Sequence, residues 1–428
     1  MQLTDEERAM ADGAQGAAVA AAMDLLVRYG EALGADRLVE TNNVCGANVF
    51  GSRHVRLLGR GGADLHDTAF ARWSLDSDED LDIPPVAAYS CQLIGPMDIE
   101  HPELQHKDAD ELQAVLDSEA YSARHGIHLL STCTPYQVGN VPVRGEHCAW
   151  MESSAVVYIN SVLGARTNTE GRESTGAAML TRRIPLYGLH LDEHRLATHL
   201  VEVGVEVETV RDWGLLGYFL GEAIAEGIPV IDGIATTPDL VRLKHFGAAA
   251  ASSGDVELYH VPGVTAEART VEEALAGRSP AATIRYGAAE RRVAYERLNA
   301  KGDDRHVDLV MIGCPHATID QIRQVCTLLD GRKVHTESNL WVFTPRAIRE
   351  VAERNGYADT LRAAGAHLLS DTCPAIGQFV PPGCRVIATD SAKQAHYLPA
   401  IMGLQGWFGT TAECVDAAVN GTWEATAP

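Results

Sequence analysis

An α/β fold, with parallel or mixed sheets covered by helices, is predicted by two features of this 428-residue chain. Short apolar runs alternate with helical stretches along most of its length. Three of those runs end two or three residues before a cysteine that itself precedes a proline: Cys133, Cys314 and Cys373. In an open α/β sheet the strand C-termini share one edge, and ligands bind in the crevice there. Three thiols are therefore delivered to one edge.

The elements follow in order. Thr4-Asp-Glu-Glu7 is a capping-box pattern that opens an Ala-rich helix. Residues 108–124 read as a helix and 127–131 as the strand leading to Cys133. Residues 152–164 form a helix of small residues suited to close packing. A helix over 212–225 precedes a strand over 228–231. The stretch 262–304 is charged, Ala-rich and broken by Gly and Pro, which suggests a peripheral helical connection. Strand 307–312 leads to Cys314, and helix 319–330 follows with Thr318 as N-cap and Gly331 beyond its end. A helical segment over 345–364, strand 366–370 and strand 385–389 complete the pattern. Three parts are expected: 1–175 as a first α/β lobe with Cys133, 176–305 as a middle α/β and helical region, and 306–428 as a second α/β lobe with Cys314, Cys373 and Lys393.

Composition narrows the function. The net charge is −23, and only five of 35 basic residues are lysines (107, 244, 301, 333 and 393). Without a basic cluster to neutralise phosphates, nucleic-acid binding is not expected. No run approaches the roughly 18 apolar residues of a membrane span, and the N-terminus lacks the basic-then-apolar order of a signal peptide. The expected location is cytoplasmic, and nine cysteines there are reduced thiols or metal ligands rather than a disulfide framework.

Three thiolates from separate elements can hold zinc, iron or an iron–sulfur cluster and leave a position open for substrate. The competing reading is that they are small buried residues at strand ends. Cys326 falls on an apolar stripe with Ile319, Ile322 and Leu329 and reads as core; Cys384 and Cys414 sit in ordinary strand and helix patterns. Cys45, Cys91 and Cys148 lie near candidate site loops. Lys393 directly follows strand 385–389, on the same sheet edge, where it can pair with an anion. Arg166 offers a guanidinium for bidentate carboxylate recognition. Glu152 and Ser153 open a helix, so capping competes with substrate contact. His316 is a ligand, a proton donor or a loop histidine.

Jointly, these segments resemble the aconitase X family. They are Thr132-Cys-Thr-Pro-Tyr136 with Gly139-Asn140, Gly145-Glu-His147, Ala149-Trp150, Glu152-Ser-Ser-Ala155 and Asn160 through Asn168. Gly313-Cys-Pro-His316, Asp371-Thr-Cys-Pro374 and Asp390-Ser-Ala-Lys393 through Tyr397 follow in order. The resemblance implies an aconitase-like fold, with several parallel or mixed sheets covered by helices around a central cleft. It implies a hydro-lyase whose [4Fe-4S] or [2Fe-2S] cluster, or mononuclear iron, is held by Cys133, Cys314 and Cys373. Substrate contacts are implied for Glu152, Ser153, Lys393 and the loop Gly46-Ala47-Asn48. That loop, and Ser90 through Gly95, depart from the family pattern and put the substrate more in question than the reaction. The chain looks like a large subunit, whose small swivelling-domain partner supplies a serine base. If the base lies in this chain instead, Glu152 and His316 are the first candidates.

Two family substrates follow, cis-3-hydroxy-L-proline, which is favoured, and 5-phosphomevalonate. A rival of another class is a non-catalytic scaffold in which the thiols and His316 close a structural zinc. Thiol redox chemistry is a second rival, but a CxxC pair is missing.

Overall fold

The structure is a computed structural model that describes residues 1–46, 83–300 and 302–424. Among the described residues four sheets organise it, most of them parallel. The N-terminal part holds β1 (Leu38–Glu40), β2 (Val44–Gly46), β3 (Ser90–Gln92), β4 (Ile127–His128), β5 (Ala149–Trp150) and β6 (Arg183–Pro185). Strands β2 to β5 form a parallel sheet in the order β4-β3-β2-β5, while β1 pairs antiparallel with β6. Helices Ala17–Ala32 and Arg172–Thr181 cover this region through Val19, Met23, Leu26, Ala178 and Met179. Gly46 makes the packing close: a Cβ there would lie 2.2 Å from Thr175 Oγ1.

The middle sheet is parallel, in the order β8 (Pro229–Asp232), β7 (His199–Val203) and β9 (Ala282–Tyr286). Strand β9 corrects the expectation of a purely helical connection over 262–304. Tyr286 is the only fully buried side chain of Ala282–Tyr286, so the strand's polar exposed face hid it among charged neighbours. Helices Val210–Ile224 and Leu240–Ser253 lie almost in backbone contact at Gly217, where a Cβ would come within 2.3 Å of the Phe246 carbonyl oxygen.

The C-terminal sheet has five parallel strands in the order β12-β11-β10-β13-β14: β10 (Leu309–Ile312), β11 (Asn339–Thr344), β12 (His367–Ser370), β13 (Val386–Thr389) and β14 (Gln405–Phe408). Helices cover both faces, so β10 and β13 are buried at every residue, as parallel strands in a doubly covered sheet must be. The predicted helix from Thr318 is present with its capping box. The 345–364 segment is two helices, Arg346–Arg354 and Tyr357–Ala364, separated at Gly356 by a φ of +76°. Among the described residues no helix is long and apolar enough to cross a membrane.

Candidate active site

From β10 the chain proceeds to β11 and β12 on one side, then crosses to β13 and β14 on the other. Reversal of strand order opens a crevice beyond the carboxyl ends of β10 and β13. Cys314 follows β10 there, and Lys393 follows β13. The carboxyl edge of the N-terminal parallel sheet meets the same space, with Ile94 beyond β3, Cys133 beyond β4 and Glu152 beyond β5. A cavity of about 70 Å³ is lined by Cys133, Glu152, Ser154, Cys314, His316, Cys373, Lys393 and Tyr397, among others. Two sheets thus contribute to one site.

A left-handed residue turns each cysteine out of its strand. Ser131 (φ 44°) lies two residues before Cys133, Asp371 (φ 67°) two before Cys373, and Gly313 (φ 103°) directly before Cys314. Only glycine suits the last position, because a Cβ would sit 2.2 Å from the Phe343 carbonyl oxygen. At the other two the cost, of order 1–3 kcal/mol each, persists only where surrounding structure enforces it. Asp371 is enforced by three ties: its carbonyl accepts from Gly95 N (2.7 Å), its carboxylate accepts from Arg346 N (3.0 Å), and Arg346 Nη2 lies 2.6 Å from its other oxygen.

His316 joins all three loops. It is fully buried, with Nδ1 accepting from Thr132 Oγ1 (2.8 Å) and Nε2 donating to the Thr372 carbonyl (3.0 Å). Its backbone N–H points at Cys133 Sγ (3.3 Å). Burial pushes the imidazole down to about 4, the nearby Lys244 cation adding to the effect, so the ring is neutral. With both nitrogens engaged, His316 has no free atom for a metal or a substrate proton. It holds the loops instead.

Burial also pushes the three thiols up, Cys373 to about 12, and each feels its neighbours. All are free of disulfides. Lys393 Nζ donates to Glu152 Oε1, and Ser154 Oγ donates to the same oxygen at 3.0 Å. Burial would lift Glu152, but the Lys393 cation outweighs it and holds the carboxylate below its usual range.

Sequence-predicted residues are therefore divided. Cys133, Cys314, Cys373, Glu152, Lys393 and His316 share the cavity. Ser153 stands at the helix start without lining it; Ser154 does so instead. Gly46 ends β2 and serves close packing, while Ala47 and Asn48 lie outside the described residues. Arg166 lines another cavity with Arg144 and Arg195, pairs with Asp192, and donates to the His190 carbonyl at 2.9 Å. Cys326 is core, as expected. Lys244, which the sequence did not single out, lies buried behind the Cys314 loop; its one signal was its rarity as a lysine.

Three soft sulfur donors in one cavity suit a thiophilic metal or cluster. Among the described residues no group of three His, Cys, Asp or Glu side chains is drawn tightly enough for a bare ion. The fit rests on donor chemistry and the shared cavity.

Comparison with known proteins agrees with this architecture. Family models for the first, second and third domains of aconitase X match residues 1–193, 197–296 and 307–420. The phosphomevalonate dehydratase large subunit of Methanothermobacter thermautotrophicus is 39% identical over 402 residues, covering 93% of this chain and 94% of that protein. The cis-3-hydroxy-L-proline dehydratase of Pseudomonas aeruginosa is 42% identical over 302 residues, covering 69% of this chain and 52% of that one. The crystal structure of Thermococcus kodakaraensis aconitase X in its holo-form superposes with a TM-score of 0.80 at 30% identity, covering 98% of this chain and all of that one.

The role of His316 can be measured without metal. His316→Ala strands the Thr372 carbonyl in a buried site, at a cost of about 1–3 kcal/mol, while the Thr132 hydroxyl keeps its contacts with Thr134. Denaturant unfolding of the metal-free protein should show that loss; an unchanged midpoint would mean that the imidazole ties nothing.

Proposed function

Because the chain belongs to the aconitase X family, we propose that it is the large subunit of a hydro-lyase that removes water from a small hydroxy acid. The observation that carries this reading is the meeting of three cysteines and the Glu152–Lys393 pair in one cavity between two sheet edges. Cys133, Cys314 and Cys373 would hold the iron, as a [4Fe-4S] or [2Fe-2S] cluster or a single ion. When bound, it supplies a Lewis acid for the departing hydroxyl. Lys393 receives the substrate anion, and Glu152, fixed by Lys393 and Ser154, is oriented toward the same space.

Elimination also needs a base within hydrogen-bond reach of a carbon-bound proton, about 2.6–3.2 Å. Glu152 is already committed to Lys393, and His316 has both nitrogens occupied. These commitments support a base on a separate small subunit, a serine of a swivelling domain, docked over the cleft. The His316 bonds also count against a structural zinc closed by that residue.

For the substrate we favour cis-3-hydroxy-L-proline. Lys393 and Glu152 are one cation and one anion, the complement of an amino acid's carboxylate and ammonium, and among the described lining residues Lys393 is the sole charged base. A phosphorylated acid would call for further cations. 5-Phosphomevalonate is the second reading, favoured by near full-length correspondence with large subunits of that dehydratase. Turnover by the chain reconstituted with its small subunit decides between them, and activity on neither compound sinks both.

Changing Cys133, Cys314 or Cys373 to Ser should abolish iron binding and turnover, whereas Cys326→Ser should keep both. A full iron complement in Cys314→Ser would refute the triad. Lys393→Ala should retain iron but raise KM about 10- to 100-fold, the worth of one charge-assisted bond. Freed of its cation, Glu152 is pushed up by burial, so the acid limb of the rate profile should move to higher pH. Steady-state kinetics across pH would show both effects, and an unmoved KM would remove Lys393 from the substrate site.

A further inference from the structure

Two of the chain's five lysines stand beside the three cysteines, and their circumstances differ. Lys393 is neutralised by Glu152. Lys244, on helix Leu240–Ser253 of the middle region, is 2% exposed and bonds only to neutral acceptors. Its Nζ donates to the His316 carbonyl (2.8 Å), Gln321 Oε1 (2.8 Å) and, more weakly, the Pro315 carbonyl (3.4 Å). Among the described residues no carboxylate stands within ion-pair distance. Asp390 is near enough to feel the charge but stands outside ion-pair distance; its Oδ2 accepts from Thr411 Oγ1 at 2.7 Å, and its buried Oδ1 has no hydrogen-bond partner. A buried, unpaired ammonium costs several kcal/mol, so some other group must offset it.

What faces it is the thiol site. The Pro315–His316 peptide accepts from Lys244 at its carbonyl and donates its N–H to Cys133 Sγ at 3.3 Å. A cation on the oxygen of a peptide polarises its N–H toward the acceptor beyond. Through space, the groups that favour Lys244's charge once they are ionised are Cys133 first, then Asp390 and Cys314. We propose that Lys244 is the buried countercharge of the thiolate centre, a positioning residue that stabilises the ionised sulfurs through the Pro315–His316 peptide and through space. Burial lowers its own pKa to about 8, so it remains mostly charged at neutral pH. The inference rests on the reading of Cys133, Cys314 and Cys373 as joint ligands.

Titration of the full metal-free chain with Co(II) under anaerobic conditions tests it, read by the thiolate-to-cobalt charge-transfer band. Wild type, Lys244→Met and Lys244→Gln are compared, with circular dichroism as a check on folding. Both variants should bind Co(II) about 10- to 100-fold more weakly, the usual effect of losing a group behind the ligands. Wild-type affinity in folded Lys244→Met would overturn the proposal. Wild-type affinity in Lys244→Gln, which keeps a donor but no charge, would do so as well, and that variant alone decides if Lys244→Met does not fold. Absence of the band in wild type would instead overturn the ligand set, and with it this inference, whereas a cobalt-binding chain without dehydratase activity would leave the inference standing.

Discussion

The site depends on one buried imidazole. Cys133 comes from the N-terminal sheet, Cys314 and Cys373 from the C-terminal sheet, and local structure alone does not keep their loops together. His316 spans them by accepting from Thr132 and donating to Thr372, while its own backbone belongs to the Cys314 loop. That arrangement needs a neutral ring with one protonated nitrogen, and deep burial supplies it. A charged ring would donate at both nitrogens and turn the Thr132 hydroxyl into the acceptor, so burial fixes the direction of that bond.

Further ties brace the seam. Asp98 accepts from the Ser370 backbone at 2.8 Å, and Gly95 donates to the Asp371 carbonyl at 2.7 Å, so the N-terminal part grips the end of β12 just before Cys373. These bonds also enforce the left-handed turn at Asp371. Backbone strain before the cysteines and long-range hydrogen bonds around them are two sides of one design: the strain aims the thiols, and the bonds hold the strain.

Charge balance is the second constraint. Three buried thiols in one cavity favour their neutral forms, and a metal must displace their protons. Lys393 brings no net charge to the cavity, since Glu152 matches it, and this leaves the pair free to exchange partners with a charged substrate. Lys244 has no such match. The two cations therefore divide the work, one toward the open space and one toward the sulfurs.

Sequence alone determined the βα alternation, the helix beginning at Thr318 and the strands before Cys314 and Cys373, because strands buried on both faces read as continuous apolar runs. It also marked the three cysteines by their shared context. It did not reveal β2, β3 and β5, which are only two or three residues long, nor β9, whose side chains are largely exposed, and it passed over β7, β14 and the buried β11. Tertiary structure decided which loop residues meet. It put Arg166 against Asp192 in a different cavity, gave Ser154 rather than Ser153 the bond to Glu152, and committed both nitrogens of His316. It also set Lys244 behind a loop some 70 residues further along the chain. Periodicity and spacing report which face of an element is buried; the partner met there is fixed only when separate sheets pack edge to edge.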